Sequence, residues 1–149
     1  MQNIRPATTN DASRIAEILV FTKRLHYRSI FNNDQYSFGE MQVLPLAQDY
    51  LQHPEQLKRI WVYDDGFVKG MIFVDGKEVR ELYIDSFFQK QGIGRKLLEF
   101  AIKNFDVQYL WVLEKNVGAI KFYQNCGFQL TKETMPEEGS DEINIKMIR

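Results

Sequence analysis

A mixed α/β fold of the α+β kind is what the sequence predicts. Three observations lead there. A helical period follows a short opening strand, strand-like segments separated by Asp-Gly turns fill the middle, and helix, strand, helix and two strands alternate at the end.

Asn3-Ile4-Arg5-Pro6 reads as the first strand. Asn10-Asp11-Ala12-Ser13 then offers capping side chains, and Ile15, Ile18, Leu19 and Thr22 follow at helical spacing beside Ala12 and Ala16. The spacing predicts a helix from about 11 to 24. Residues 25–55 hold His26, Tyr27, Phe31, Tyr36, Phe38 and Tyr50, are interrupted by Pro45, and read as one or two helices joined near Asn32-Asn33-Asp34. From Arg59 the period changes. Ile60-Trp61-Val62-Tyr63 is strand-like, Asp64-Asp65-Gly66 is a hairpin signal, and Val68 to Val74 returns. Asp75-Gly76-Lys77 makes a second turn before a strand from Val79 to Ile84. Gly92 to Phe105 is helical, with Ile93, Leu97, Leu98, Ala101, Ile102 and Phe105 on one face. Val107 to Leu113 reads as an apolar central strand covered on both sides. Ala119, Phe122, Tyr123 and Cys126 recur at helical spacing until Gly127-Phe128. Phe128 to Thr131 and Glu142 to Met147 read as a last strand pair.

At 149 residues, the chain has room for one domain, 1–149, with its own core. A net charge of −1 and no basic stripe with interleaved aromatics argue against nucleic acid or a membrane surface as partner. The lone cysteine, Cys126, allows no internal disulfide and suits a reducing compartment. No apolar stretch approaches the ~20 residues of a membrane span, and Met1 to Pro6 has no apolar core for a signal peptide. The expectation is a soluble cytoplasmic protein.

The chemistry concentrates between Leu82 and Arg95, where a strand passes through a short loop into a glycine-rich helix start. The first N–H groups of a helix lack intrahelical acceptors, and the helix dipole favours an anion there. Gly92 and Gly94 let a ligand approach the backbone, and Gln89, Lys90 and Arg95 add donors or charge at the rim. A pyrophosphate suits such a cradle. The NTPase loop needs a Gly-Lys-Ser/Thr ending that is absent. The dinucleotide fingerprint needs a third glycine where this chain has Leu97.

Gln89-x-x-Gly92-x-Gly94 resembles the Q/R-x-x-G-x-G/A signature of the GCN5-related N-acetyltransferase (GNAT) superfamily. Asn116-x-x-Ala119-x-x-Phe122-Tyr123-x-x-x-Gly127-Phe128 resembles its second hallmark, and Ile4-Arg5-Pro6-Ala7 followed by Asn10-Asp11 its usual opening. The resemblance spans nearly the whole chain and is weakest over about 24–58. It implies the GNAT fold: a mixed, mostly antiparallel central sheet of about six to seven strands, helices on both faces, and splayed central strands. It also implies acetyl-coenzyme A (acetyl-CoA) as co-substrate, with no metal, and direct transfer of its acetyl group to a primary amine. By the same resemblance, the backbone of Leu82, Tyr83 and Ile84 pairs with the pantetheine arm. Gln89, Lys90, Gln91, Gly92, Ile93, Gly94 and Arg95 hold the pyrophosphate, Asn116 bonds the cofactor arm, and Tyr123 sits near the sulfur.

Direct transfer sets three tasks. A backbone N–H near Ile84 suits the oxyanion, and the Tyr123 phenol suits the leaving thiolate. Glu81 is the candidate general base, set against the plainer reading of a solvent-facing strand residue. Relatives that acetylate protein N-termini often carry a glutamate on the next strand, where this chain has Trp111. That departure weakens the N-terminal reading and leaves water as an alternative proton carrier. Cys126 falls in an apolar helical stripe and reads as structural. His26 and His53 are too isolated for a metal site, and His26 reads as a surface or cap residue.

The acceptor is expected to be a small amine or a lysine-like amine on a peptide. The aromatics of 24–58 and the acidic residues Glu137, Glu138, Asp141 and Glu142 are the expected mouth of its site, against a plain reading as core and solvated loop. Two alternatives stand beside this: a non-catalytic CoA-binding regulatory module, and a transferase of a longer acyl group. Family members are often homodimers, and nothing in the sequence marks an interface.

Overall fold

The computed structural model describes residues 3–149. Met1 and Gln2, which begin the segment read above as lacking a leader, lie outside the described residues. Strands β1 (Ile4–Pro6), β2 (Ile60–Asp64), β3 (Val68–Asp75), β4 (Glu78–Ile84), β5 (Tyr109–Leu113), β6 (Gln129–Pro136) and β7 (Ile143–Ile148) make one 7-stranded sheet. Its order is β1-β2-β3-β4-β5-β7-β6, and every neighbouring pair is antiparallel except β4 and β5.

Helices α1 (Ala12–Phe31), α2 (Val43–Gln52), α3 (Pro54–Leu57), α4 (Ile93–Phe105) and α5 (Val117–Asn125) complete the fold. Two cores lie on opposite faces of the sheet. One packs Ile15, Ile18 and Tyr50 from α1 and α2 on Ile60, Val62 and Met71. The other packs Leu97, Leu98 and Ala101 of α4 on Ile72, Leu110, Val112 and Met147. The alternation of strand side chains between faces is what lets β2 and β3 serve both cores.

The opening cap is built around Asp11, which is 7% exposed. Its carboxylate accepts two bonds from Arg5 at 2.8 and 2.9 Å and the Thr8 N–H at 2.8 Å. From there α1 runs past the predicted stop near 24 to Phe31. No glycine or proline intervenes, and the helix stops at Asn32, whose φ of 50° is left-handed. The periodic signal fades after Thr22 because Leu25 and His26 face solvent. A π-helical turn over Gln35–Glu40 follows, tied to α1 by Arg24, which donates to the Ser37 and Met41 carbonyls. Pro45 does not interrupt anything. It sits in the first turn of α2, where its missing N–H has no intrahelical acceptor to serve.

β5 departs from the expectation of full cover. Leu110 and Val112 are buried against the α4 side, whereas Tyr109 and Trp111 on the other face are only partly buried. The parallel pairing of β4 with β5 lasts for only two residue pairs, Glu78 with Tyr109 and Val79 with Leu110. A bulge sets in on β4 at that point. Phe73 of β3 faces Glu81 while the next residue, Val74, faces Val79, so Arg80 is unpaired. The extra residue twists β4 away from β5 and opens a gap between their C-terminal halves.

Candidate functional site

The gap has a backbone wall. The Asp85 N–H donates to the Lys69 carbonyl at 2.9 Å, which fixes the alternation along β4. Tyr83 and Asp85 therefore point their backbone groups at β3, and Leu82 and Ile84 point theirs into the gap. Of the three residues expected to pair with an extended arm, Leu82 and Ile84 offer backbone and Tyr83 offers its side chain. Gly70 of β3 leaves room for the Ile84 side chain, whose Cδ1 would stand 2.6 Å from a Cβ there. An isolated glycine inside a strand pattern is the signal that would have found it.

The wall leads into the cradle. Asp85 Oδ1 accepts the Phe87 N–H at 2.9 Å and caps a short helical turn over Ser86–Phe88. Lys90 and Gly92 then take left-handed φ values of 63° and 81°. Gly92 is the N-cap of α4, and a Cβ there would meet nothing within 4 Å. Space beside it is open, and the conformation is what demands glycine. The first intrahelical bond runs from the Lys96 N–H to the Gly92 carbonyl, so the N–H groups of Ile93, Gly94 and Arg95 face outward unclaimed by the helix.

The individual cradle side chains divide. Ile93 is 4% exposed and offers its N–H alone. Gly94 is turned from the ligand side, because a Cβ there would lie 3.4 Å from Phe122 Cζ and 3.6 Å from Ile84 Cγ1. Gln89 bends back, donating Nε2 to the Ile84 carbonyl at 3.2 Å with His26 Nε2 at 3.4 Å. Arg95 Nε pairs with Glu99 at 2.9 Å along the helix, and Lys90 and Gln91 are exposed at the rim.

Across the gap, Asn116 is the N-cap of α5, with Oδ1 accepting the Ala119 N–H at 3.3 Å. Tyr123 packs edge-on against Phe122 and Phe128, with ring centroids 5.2 and 6.0 Å away. Burial raises its phenol well above the ordinary value, and neighbouring Tyr27 and Cys126 push the same way. Burial also raises Tyr83 and Tyr27. Tyr50 follows the same pattern.

Glu81 stands on the same face of β4 as Tyr83, among these phenols. Burial pushes its carboxyl up, and Lys23 and Arg80 pull only partly against it. Among the described residues it forms no ion pair. The acidic connection between β6 and β7 is not one patch. Glu142 pairs with Lys115 at 2.9 Å, Glu138 and Asp141 are exposed, and Glu137 lies near enough to Tyr27 to raise its phenol. Trp111 is paired across strands with Lys146. His26 and His53 are exposed, and no cluster of three metal-ligating side chains forms among the described residues.

A family model described as an acetyltransferase (GNAT) domain matches residues 56–130. The chain belongs to the GNAT family. The match runs from α3 through the cradle and α5 into β6, the segment that builds the gap. Peptidyl-lysine N-acetyltransferase YjaB of Salmonella typhimurium is 33% identical to this GNAT protein over 86 residues, 58% of either chain. Spermine/spermidine N(1)-acetyltransferase of Bacillus subtilis is 31% identical over 77 residues, 48% of this chain and 47% of that one. The chain spans about half the length of the curated relatives it matches. The solution structure of apo-form YjaB from Escherichia coli superposes with a TM-score of 0.81 at 20% identity, covering 99% of this chain and 97% of that one. The structure of yncA from Salmonella typhimurium with its cofactor acetyl-CoA has a TM-score of 0.65 at 20% identity, covering 97% and 90%. These superpositions establish the GNAT fold over nearly the full chain.

Proposed function

We propose that residues 1–149 act as one unit that transfers the acetyl group of acetyl-CoA to a primary amine. The observation that carries this reading is the continuity of an unpaired strand edge with a helix N-terminus. Leu82 offers its N–H and C=O to an extended diamide arm, the Ile84 N–H lies free beside them while its carbonyl is held by Gln89, and the same chain then reaches the open, left-handed Gly92 and the free N–H groups of α4. A pyrophosphate fits that end.

Acetyl-CoA supplies an activated thioester open to attack by a neutral amine. The chain's own residues meet the three tasks. The Ile84 N–H faces the gap, where it can bond a developing oxyanion. Glu81, with its proton affinity raised by burial, takes the amine proton directly or through water. Tyr123 keeps its proton throughout the physiological range because burial raises its phenol. A thiol ionises near 8.5, so full transfer from such a phenol is uphill. Tyr123 therefore donates a hydrogen bond to the developing thiolate.

Tyr27, Tyr50, Tyr83, Glu81 and Glu137 suit a cationic acceptor. The polyamine and peptidyl-lysine acetyltransferases among the relatives point to the same class, a primary amine on a positively charged molecule. The reading keeps a cytoplasmic location on the strength of the lone Cys126.

Calorimetric titration with acetyl-CoA tests the first half. Micromolar binding is expected, followed by thiol release when spermidine or a lysine peptide is added. A folded protein that binds no acetyl-CoA would remove the proposal.

A further inference from the structure

Resting on the reading above, we infer that Arg14 is a positioning residue for the acetyl-CoA site, acting through Asp85. Arg14 lies on α1, far in sequence from the cradle, and no motif includes it. Its Nε donates to the Val68 carbonyl at 2.9 Å and its Nη2 to Asp85 Oδ2 at 2.8 Å, while Nη1 bonds Glu17. One planar guanidinium thus joins α1, the start of β3 and the end of β4 in fixed directions.

Asp85 is where the gap wall turns into the cradle. Its N–H is held by Lys69 at 2.9 Å, its carbonyl accepts the Phe88 N–H at 2.9 Å, and its other carboxylate oxygen caps the turn through Phe87. All of its polar groups are engaged, and the side chain is only 15% exposed against 25% for Arg14. The Ile84 carbonyl beside it is held by Gln89. The Ile84–Asp85 peptide is therefore clamped on both sides. Arg14 thereby holds the Ile84–Asp85 peptide and sets the path of the loop toward Lys90 and Gly92.

The test needs no acceptor. Acetyl-CoA affinity is measured by calorimetry, and melting is followed separately, for the wild type, Arg14→Met, Asp85→Asn and the double variant. Asp85→Asn keeps Oδ1 as acceptor for the Phe87 N–H and replaces the oxygen that accepts from Arg14 with an NH2 group, so it serves if Arg14→Met does not fold. Well below the melting temperature, Arg14→Met is expected to weaken binding about 10-fold, Asp85→Asn by a smaller factor, and the double variant no more than Arg14→Met. A purely structural role would lower the melting temperature and leave affinity unchanged. Wild-type binding with unaltered affinity in both single variants overturns the inference. A wild type that does not bind overturns instead the function on which it rests.

Discussion

The two sides of the gap between β4 and β5 are made of different material. Toward α4 the surface is backbone: the free edge at Leu82 and Ile84 and the N–H groups that follow Gly92. Toward α1 and α2 it is side chain: Tyr27, Tyr50, Glu81 and Tyr83, with Glu137 arriving from the β6–β7 connection. A backbone site depends on a few conformations, so a glycine at one position and an unpaired edge suffice. A side-chain site depends on which residues four separate segments place there, and each can change without disturbing the fold. The first side is suited to a ligand that stays constant, the second to one that varies.

The sharpest way to break the comparison is at Gly92. Its φ of 81° makes any side chain strained there, by about 1–2 kcal/mol. Gly92→Glu adds a negative charge at the helix N-terminus as well. Acetyl-CoA affinity should fall roughly 100-fold or more, equivalent to ~3 kcal/mol, with a much smaller loss of thermal stability. Gly94→Ala is the control. Its methyl would make ordinary contact with Phe122 and Ile84, so binding should stay within about threefold. Equal losses at the two glycines would mean that the cradle needs room and not conformation.

Glu81 and Tyr123 lie where the two sides meet, and their removal should separate chemistry from binding. Glu81→Gln and Tyr123→Phe are each expected to lower kcat on the order of 100-fold while leaving acetyl-CoA affinity nearly unchanged. The pH profile gives the sign independently. The base must be ionised, and burial raises its carboxyl, so kcat/KM should fall as pH drops through a value above the usual carboxylate range. Glu81→Gln should flatten that limb. A Glu81→Gln enzyme with the same acid limb would hand the proton to water or another group. An unchanged kcat in Tyr123→Phe would leave the thiolate to solvent.

The two helix starts at the proposed site were legible in the sequence because their physics is local: Gly92 caps the helix that it begins, and Asn116 caps the helix that follows it. The strand meander and both hairpins were legible for the same reason. The splay was available only through resemblance, since the bulge at Arg80 depends on pairing with a strand that no local pattern reveals. The end of α1 was misplaced because its last turns face solvent and the cleft and carry no amphipathic period. Arg14 and Asp85 were invisible as a pair because the contact joins residues far apart in the chain. The acidic run looked uniform, yet Lys115 neutralises one member and the charge of another acts on the Tyr27 phenol.

That last division gives the smallest effect and the most direct question about the acceptor side. Glu142 already pairs with Lys115, so Glu142→Gln releases a lysine and should leave the KM of a cationic amine nearly as it was. Glu137 accepts from Asn144 and its charge acts on the Tyr27 phenol, so it is the member of the run that a cationic acceptor in the cleft would feel. Glu137→Gln should raise that KM about threefold at low salt, the scale of one partly solvated charge of ~0.7 kcal/mol. Because screening weakens such attraction, the difference from wild type should shrink as salt is added. A neutral amine acceptor should show no effect of Glu137→Gln at any salt. If both glutamates matter equally, the whole connection steers the amine as a diffuse field. If neither does, recognition rests on Glu81 and the tyrosines inside the cleft, and the loop is only solvated surface.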